Sequence, residues 1–273
     1  MSKRFARQAV WITGGSSGIG KALALEFAKQ GADVAVSGRR QDRLDEVAAQ
    51  IEALGVKALA VPCEVSDTAQ IEAAVERVVE CFGKIDVCVA NAGFGVAGTI
   101  EKLTEEEWRR QLDVNVIGLV MTVKHALPEL RKTKGRIALV GSVSAMLCVP
   151  TMGAYSASKF AVRAIGQTLS LELHGSGVSC TTIHPGFVES EIAQVDNRGV
   201  FKAERKDDRP AQLMWPADRA ARVMAEAIAK RKREYTFTMH GKVGAWLGRH
   251  VPGAVHFATT RFAKGMIPED RKR

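Results

Sequence analysis

The sequence has none of the features that mark membrane-spanning, secreted or nucleic-acid-binding chains. Its apolar runs stay below the roughly 18 residues that a transmembrane helix needs. The basic N-terminus passes directly into a strand-like segment, Ala9–Ile12, without the apolar core and cleavage site of a signal peptide. Zinc-ligand spacing, interleaved aromatic residues and a recognition-helix pattern are also missing, so we expect no nucleic-acid partner.

Cysteine is scarce, odd in number and never arranged as a Cys-x-x-Cys pair. The five residues are Cys63, Cys81, Cys88, Cys148 and Cys180. This usage indicates a reduced compartment, so we expect a cytoplasmic protein. A role as small buried hydrophobic side chains accounts for all five, and we assign none of them to catalysis or to a metal site.

Acidic residues are scarce only in the last quarter of the chain. Of the 273 residues, 46% are hydrophobic and 25% are charged, which is ordinary for one large globular domain. Residues 1–201 hold 22 basic and 22 acidic side chains, whereas residues 202–273 hold 17 basic and 8 acidic ones. The net charge of +9 therefore belongs to the C-terminal quarter.

Predicted strands and helices alternate along the chain without internal repeats. The first strands are 8–12, 33–37, 57–61 and 85–90, and the last of these is continuously apolar, as in a sheet covered on both faces. The alternation predicts one α/β domain, a doubly wound parallel sheet with helices on both faces. We assign residues 1–238 to this domain and residues 239–273 to a basic C-terminal extension.

A glycine-rich turn joins the first strand to the first helix, at Thr13–Gly20. Glycine permits positive φ angles and close approach of a phosphate to backbone N–H groups, and the helix dipole favours an anion there. The turn therefore predicts a site for the phosphates of a dinucleotide. Its members are Gly14, Ser16, Ser17, Gly18, Ile19 and Gly20.

Two arginines follow the second strand, at the place where a carboxylate would bind the ribose of NAD. Arg39 and Arg40 stand there instead, directly after Gly38. An arginine suits the 2′-phosphate of NADP, and a bound anion would offset positive charge at a helix N-terminus. We predict NADP as the cofactor, with NAD as the alternative if the arginines are only a solvated helix start.

Polar residues also follow other strands at their carboxyl ends, where ligands bind in an open α/β sheet. Glu64 and Val65 follow the third strand, and Asn91, Ala92 and Gly93 follow the fourth. Ser142 follows the next strand, and Pro185, Gly186, Val188 and Ser190 come after a later one. We predict that these segments border the cofactor.

Tyr155 and Lys159 lie four residues apart at the start of a predicted helix, and so on one face of it. A free tyrosine has a pKa of about 10, and a neighbouring ammonium favours the phenolate and lowers that pKa. The pair could therefore act as a general acid and base. For this short segment alone, a buried tyrosine beside an unrelated solvated lysine is the simpler explanation.

Together these motifs resemble the short-chain dehydrogenase/reductase family. The family's glycine motif matches Thr13-Gly14-x-x-x-Gly18-x-Gly20, and its Asn-Ala-Gly and Pro-Gly segments match residues 91–93 and 185–186. Its catalytic tetrad matches Asn115, Ser142, Tyr155 and Lys159. The resemblance covers about residues 8–192 and implies a Rossmann-type fold.

Three positions depart from the family pattern. The adenine-contacting Asp-Val of many members is Glu64-Val65 here, and the usual threonine after the Pro-Gly segment is Ser190. Ser17 stands where some NADP-preferring members carry a basic residue, so Arg39 must supply most of the recognition of a 2′-phosphate.

The resemblance implies an oxidoreductase that moves a hydride between NADP(H) and a carbonyl or secondary alcohol. Tyr155 would exchange the proton, Lys159 would lower its pKa and bind the nicotinamide ribose, and Ser142 would polarise the carbonyl. Asn115 would position a water that links Lys159 to solvent; an asparagine that only bends its own helix is the alternative. The resemblance also implies a homodimer or homotetramer. Competing interpretations are an NAD-linked alcohol dehydrogenase and a non-catalytic nucleotide-binding scaffold.

An apolar wall without a charged anchor predicts a hydrophobic alcohol or ketone as substrate. Its members are Phe94, Met146, Leu147, Val149, Phe187, Met214 and Trp215, with Ser142 and Tyr155 at the reacting end. The irregular, charged segment 190–215 is a candidate lid; a disordered insertion is the alternative.

The C-terminal extension has apolar residues at helical spacing, Val243, Trp246, Leu247 and Val251, among basic ones. The pattern continues beyond Pro252 towards Met266. An amphipathic helix packed on the body and a basic helix lying on an anionic membrane surface both fit it.

Overall fold

The computed structural model describes residues 3–262, and within them seven strands form one parallel sheet. The strands are β1 (Ala9–Thr13), β2 (Asp33–Gly38), β3 (Ala58–Pro62), β4 (Val87–Ala90), β5 (Arg136–Val140), β6 (Ser179–His184) and β7 (Glu234–Thr236). Their order across the sheet is β3-β2-β1-β4-β5-β6-β7. The order reverses between β1 and β4, which creates the crevice where doubly wound sheets bind ligands.

Helices cover both faces of the sheet, as the alternation of segments predicts. They are α1 (Gly18–Lys29), α2 (Gln41–Glu52), α3 (Thr68–Phe82), α4 (Glu105–Leu112), α5 (Gly118–Thr133), α6 (Gly153–Glu172), α7 (Ala217–Ala229), α8 (Met239–His250) and α9 (Pro252–Phe262). The predicted α/β class, with a single Rossmann-type doubly wound domain, is confirmed.

Two apolar layers hold the sheet between the helices, because successive strand residues point to opposite faces. On β1, Val10 and Ile12 join the layer beneath α1, α2 and α7, whereas Trp11 joins the layer beneath α3, α5 and α6. All three side chains are fully buried. Burial on both faces explains why β1 and β4 are almost entirely apolar.

Thr104 followed three residues later by Glu107 is the sequence pattern of a capping box and predicts one long helix running towards Leu130. The structure has two helices there. The first begins as predicted, because Thr104 and Glu107 form the capping box. A wider π-helical turn, Asp113–Ile117, then separates α4 from α5. Hydrophobic periodicity does not reveal this turn, which places Asn115 at the wider coil.

The C-terminal residues 239–262 form two helices separated at Val251. Thr238 caps the first of them by accepting a hydrogen bond from the Gly241 N–H at 3.1 Å. The predicted continuation beyond Pro252 falls in α9, and only its end at Met266 lies outside the described residues. Among residues 3–262, no helix combines the length and apolarity needed to cross a membrane.

Candidate active site

The glycine-rich turn between β1 and α1 forms the tight backbone curve that the sequence predicts. Gly14 and Gly18 have positive φ angles of 66° and 52°. A Cβ at Gly20 would lie 2.2 Å from the Gly14 carbonyl oxygen, so only glycine fits there. The Asn91 side-chain amide donates to the carbonyls of Thr13 and Gly14, at 2.9 and 3.1 Å, and so fixes the turn from β4.

This turn leaves the first backbone N–H groups of α1 without partners inside the helix. The start of a helix is a favourable place for a phosphate because those N–H groups and the helix dipole both favour negative charge. Ser17, Gly18, Ile19 and Gly20 line the cavity in front of that helix end. These residues therefore fit the pyrophosphate of a nicotinamide dinucleotide.

A cavity of about 260 Å³ lies beside the carboxyl ends of β2 and β3, where the sequence predicts the adenosine end of the cofactor. Arg39, Arg40, Glu64 and Val65 all line it, as does Ser16. The structure adds Arg110, Arg198, Gly199 and Phe201, which the motifs did not reveal, and it places here Phe94, which the sequence assigned to the substrate wall. Four arginines and two glutamates face this cavity, which leaves an excess of positive charge.

The two arginines after β2 make different contacts. The Arg39 guanidinium donates to the Gly199 carbonyl and lies 3.5 Å from the Glu64 carboxylate. The Arg40 guanidinium donates to Ser17 Oγ at 3.0 Å and to the Glu191 carboxylate at 2.8 Å. Arg40 is therefore bound to the glycine-rich turn, whereas Arg39 makes its contacts only at the rim of the cavity beside β2 and β3.

The predicted catalytic residues Ser142, Tyr155 and Lys159 line a second cavity of about 180 Å³, beside the glycine-rich turn. The two cavities share Gly14, Ala92, Gly93, Glu191 and Val195, so they adjoin one another. A molecule with its phosphates at the turn could therefore reach both the arginines and Tyr155.

Ser142 and Tyr155 are brought together by β5 and α6. The Ser142 hydroxyl hydrogen-bonds to the Tyr155 side chain. Burial raises the pKa of Tyr155 above its usual range, against the lowering effects of this hydrogen bond and of Arg209. The net direction is opposite to the sequence prediction, because burial disfavours the phenolate more than its neighbours favour it.

Lys159 lies one turn beyond Tyr155, with Nζ 5.6 Å from the centre of the tyrosine ring. Its ammonium donates to the Val140 carbonyl at 3.0 Å, at the end of β5. The solvated alternative is wrong: Lys159 is buried, and burial lowers its pKa to about 8.

Asn115 is buried at the π-helical turn and bonds across it, not to its own helix. Its amide N–H group donates to the Phe94 carbonyl at 2.9 Å and to Ser158 Oγ at 3.1 Å, while Oδ1 accepts from the Phe94 N–H at 3.1 Å. Ser158 in turn donates to the Tyr155 carbonyl at 2.7 Å. Asn115 therefore joins the segment after β4 to the helix that carries Tyr155.

The segment after β6 is held by residues from the C-terminal quarter that no motif indicated. The Phe187 N–H donates to His240 Nε2 at 3.0 Å, and the two rings stack at 5.3 Å. Arg209 donates to the carbonyls of Val188 and Ser190, each at 3.0 Å. Neither His240 nor Arg209 belongs to a recognisable motif, so the sequence alone could not have selected them.

The predicted substrate wall is not where the sequence placed it, and Leu147, Val149 and Met214 are absent from the lining of the cavity around Tyr155. Phe94 lines the adenosine-side cavity, Met146 is buried beneath α8, and Trp215 packs on Phe237 under the guanidinium of Arg219. Neither these three side chains nor Phe187 is among the residues that line the cavity around Tyr155.

Two charged residues of the candidate lid, Glu191 and Arg209, also line the cavity around Tyr155, where no charged anchor was expected. Asp207 pairs with both ends of this guanidinium, at 2.8 and 2.7 Å. In the described part of the chain, no cluster of three or more His, Cys, Asp or Glu side chains could bind a metal.

Known proteins share this sequence pattern over most of the chain. A glycine betaine reductase of Emericella nidulans is 33% identical over 208 residues, which is 76% of this chain and 16% of that protein. An 11-beta-hydroxysteroid dehydrogenase A of Sesamum indicum is 36% identical over 195 residues. That alignment covers 71% of this chain but only 56% of the sesame protein.

Solved structures share the fold as well. A short-chain dehydrogenase from Burkholderia cenocepacia, in complex with NADP, superposes with a TM-score of 0.77 at 30% identity, over 88% of this chain and 99% of its own. A short-chain dehydrogenase/reductase from Burkholderia phymatum, in complex with NAD, superposes with a TM-score of 0.81 at 26% identity, over 93% of this chain and 96% of its own.

The family model for short-chain dehydrogenases matches residues 8–200, which include the glycine-rich turn and all four predicted catalytic residues. The sheet order, the crevice and the sequence match agree, and the chain therefore belongs to the short-chain dehydrogenase family.

Proposed function

We propose that the chain transfers a hydride between NADP(H) and the carbonyl or secondary alcohol of a hydrophobic small molecule. The observation that carries this proposal is the shared cavity of Ser142, Tyr155 and Lys159 beside the glycine-rich turn. A scaffold protein would have no use for this combination of residues. A bound nicotinamide cofactor supplies the hydride, and the protein supplies binding, orientation and proton transfer.

Tyr155 is the proposed general acid and base. Its raised pKa keeps the phenol protonated at neutral pH, so Tyr155 is ready to donate a proton to a carbonyl oxygen. The Ser142 hydroxyl, already bonded to Tyr155, would hold the same oxygen. As the proton is transferred, the buried ammonium of Lys159 would favour negative charge on the phenolic oxygen of Tyr155 or on the substrate oxygen. Asn115 would keep α6 in register through Ser158 and position a water for Lys159.

The hydrophobic substrate is supported by the apolar side chains around Tyr155, namely Val140, Val188, Ile192 and Val195. Two of these belong to segment 190–215, the proposed lid. The one guanidinium in the cavity is neutralised by Asp207. The name of the sesame relative, an 11-beta-hydroxysteroid dehydrogenase, is consistent with an apolar carbonyl compound as substrate.

NADP is favoured over NAD by the arginines of the adenosine-side cavity. Solved neighbours hold either cofactor, so similarity alone does not distinguish them. Arg39 and Arg40 stand where NAD-binding chains carry a carboxylate, and guanidinium groups bind phosphate oxygens in a bidentate manner.

A homodimer or homotetramer in the cytoplasm is the proposed working form. Ile117, Phe160 and Leu171 are 51%, 41% and 74% exposed on the helical segments that carry Asn115 and Tyr155. Large exposed apolar side chains on neighbouring helices are typical of an interface between subunits.

The proposal is tested by comparing the wild type with Tyr155→Phe in the NADPH-dependent reduction of a panel of apolar ketones. Removing the phenolic proton should lower kcat/KM by about 10²–10⁴-fold. Quenching of tryptophan fluorescence should show unchanged NADPH binding, because the glycine-rich turn and the arginines are intact.

Two results would contradict the proposal. Turnover by Tyr155→Phe at the wild-type rate would exclude Tyr155 as the proton donor. Tight NADPH binding without oxidation in the presence of any ketone, and no NADP reduction by the matching alcohols, would favour a nucleotide-binding scaffold.

A further inference from the structure

Helix α8 buries its small residues and exposes its large apolar ones. A Cβ at Gly248 would lie 2.0 Å from the Met146 carbonyl oxygen, and a Cβ at Gly241 would lie 3.0 Å from Val143 Cγ2. Ala245, on the same face, is 5% exposed. The helix therefore packs so closely on the segment after Ser142 that only glycine and alanine fit beneath it.

The opposite face of α8 carries a stripe of large apolar side chains. Met239, Val243 and Trp246 are spaced by four and three residues, which places them on one face of the helix. They are 72%, 51% and 57% exposed. On α9, Phe257 is 61% exposed. Single exposed apolar residues are ordinary, but a continuous stripe on a packed helix indicates a binding surface.

Positive charge flanks this stripe on one side. Lys242 and Arg249 lie on α8 beside Trp246, and they border a groove of about 600 Å³ between α8 and β7. Lys232 and Arg233 line the other side of the groove. Its one acidic residue, Glu234, is paired with Arg163 and Arg249. The sequence contains no Asp or Glu from residue 235 to residue 268.

We propose that this surface, defined as the outer face of α8 with its groove and the exposed side of α9, binds an anionic phospholipid membrane. The apolar stripe would enter the boundary between headgroups and acyl chains, and the lysines and arginines would contact lipid phosphates. This is the arrangement that a helix lying in the plane of a membrane requires.

Other occupants fit the surface less well. A second copy of the chain, bound by two-fold symmetry, would bring the same cations face to face without acidic partners. A nucleic acid would satisfy the cations but would leave Met239 and Val243 without apolar contacts. An anionic lipid surface satisfies both sets of side chains.

The surface lies directly behind the candidate active site. A Cβ at Gly244 would lie 3.6 Å from the side chains of Leu147 and Val143, and the His240 ring accepts a hydrogen bond from the Phe187 N–H. A hydrophobic carbonyl compound dissolved in the membrane would therefore be delivered close to the segment after Ser142. This consequence rests on the proposed function, whereas membrane binding itself does not.

The test is flotation of the full chain with vesicles of phosphatidylcholine alone and with added phosphatidylglycerol, without substrate or cofactor. We expect binding only to the anionic vesicles, and loss of binding at high salt because screening weakens exposed charges. Lys242→Glu and Val243→Gln should each lower the partition coefficient, the charge reversal by roughly tenfold or more. Both side chains are exposed, so folding should be unaffected.

Matched controls are Lys57→Glu and Leu54→Gln, two exposed positions near β3, the opposite edge of the sheet. They should bind vesicles like the wild type, and so should the inactive Tyr155→Phe. Failure of the wild type to float, or equal flotation of Lys242→Glu and Val243→Gln, would overturn the proposal. So would loss of self-association in Val243→Gln, because a second copy would then be the occupant.

Discussion

Arg39 and Arg40 are adjacent in sequence but have different roles in the structure. Arg40 is tied to the glycine-rich turn through Ser16 and Ser17 and to the lid segment through Glu191. Arg39 is 57% exposed and contacts only the rim of the cavity, through Gly199 and Glu64. A phosphate could displace the Gly199 carbonyl from Arg39 without disturbing the turn.

The two alanine variants should therefore differ. In tryptophan-quenching titrations, the wild type should bind NADPH at least tenfold more tightly than NADH, a difference of about 1.4 kcal/mol. Arg39→Ala should remove this difference and leave NADH binding unchanged. Arg40→Ala should weaken binding of both cofactors, because Ser16, Ser17 and Glu191 lose their common donor.

Arg77→Ala is the matched control, since its guanidinium is 65% exposed on α3. Equal affinity of the wild type for NADH and NADPH would contradict the prediction and favour an NAD-linked enzyme. Arg39 would then be no more than a solvated helix start.

At the scale of elements, the sequence predicts what depends on local pattern and misses what depends on packing. The strand–turn–helix at Gly14 and the capping box at Thr104 were predictable because their chemistry is local. The π-helical turn at Asn115 was not, since the bonds that hold it come from Phe94, 21 residues earlier. The orientation of α8 was not predictable either, because helical periodicity is the same whether an apolar stripe faces inwards or outwards.

The close packing of α8 makes Gly248 sensitive to substitution. In Gly248→Ala the new methyl group would collide with the backbone at Met146, and overpacking of this kind typically costs about 1–3 kcal/mol. We expect a lower free energy of unfolding in urea, and lower activity because Met146 belongs to the loop that follows Ser142.

Gly253 provides the comparison, since a Cβ there would meet nothing within 4 Å. Gly253→Ala should leave the free energy of unfolding unchanged or raise it by up to about 1 kcal/mol, as expected for alanine in a helix. If Gly248→Ala and Gly253→Ala were equally stable, α8 would not pack on the segment after Ser142 in the way that the structure shows.

At the scale of the whole molecule, Glu234 connects elements that are distant in sequence. Its carboxylate lies 2.9 Å from Arg163 Nε on α6 and 2.9 Å from His184 Nε2 on β6, and it also pairs with Arg249 on α8. His184 Nδ1 lies 3.1 Å from the Ser142 carbonyl oxygen. The composition shows an excess of positive charge in this quarter of the chain. Only the fold shows that the Glu234 carboxylate contacts Arg163, His184 and Arg249 together.

This cluster should make stability depend on pH in a defined window. The hydrogen bond with His184 and the charges around it lower the pKa of Glu234 from 4.5 to about 2. A carboxylate whose pKa falls on folding stabilises the protein above the pKa of the unfolded chain, and this contribution disappears as pH falls through the folded value. For Glu234 the contribution is complete above pH 4.5 and is lost between pH 4.5 and 2.

Glu234→Gln should therefore lower the free energy of unfolding by about 2 kcal/mol at neutral pH, since the guanidinium groups lose their counter-charge. Urea unfolding at successive pH values measures the difference in free energy of unfolding between the wild type and Glu234→Gln. This difference should decrease below pH 4.5 and nearly vanish near pH 2. Glu72→Gln removes the same charge from an exposed site on α3 and should show neither effect. If the difference in free energy of unfolding stayed constant down to low pH, Glu234 would stabilise the protein by packing and not by its charge.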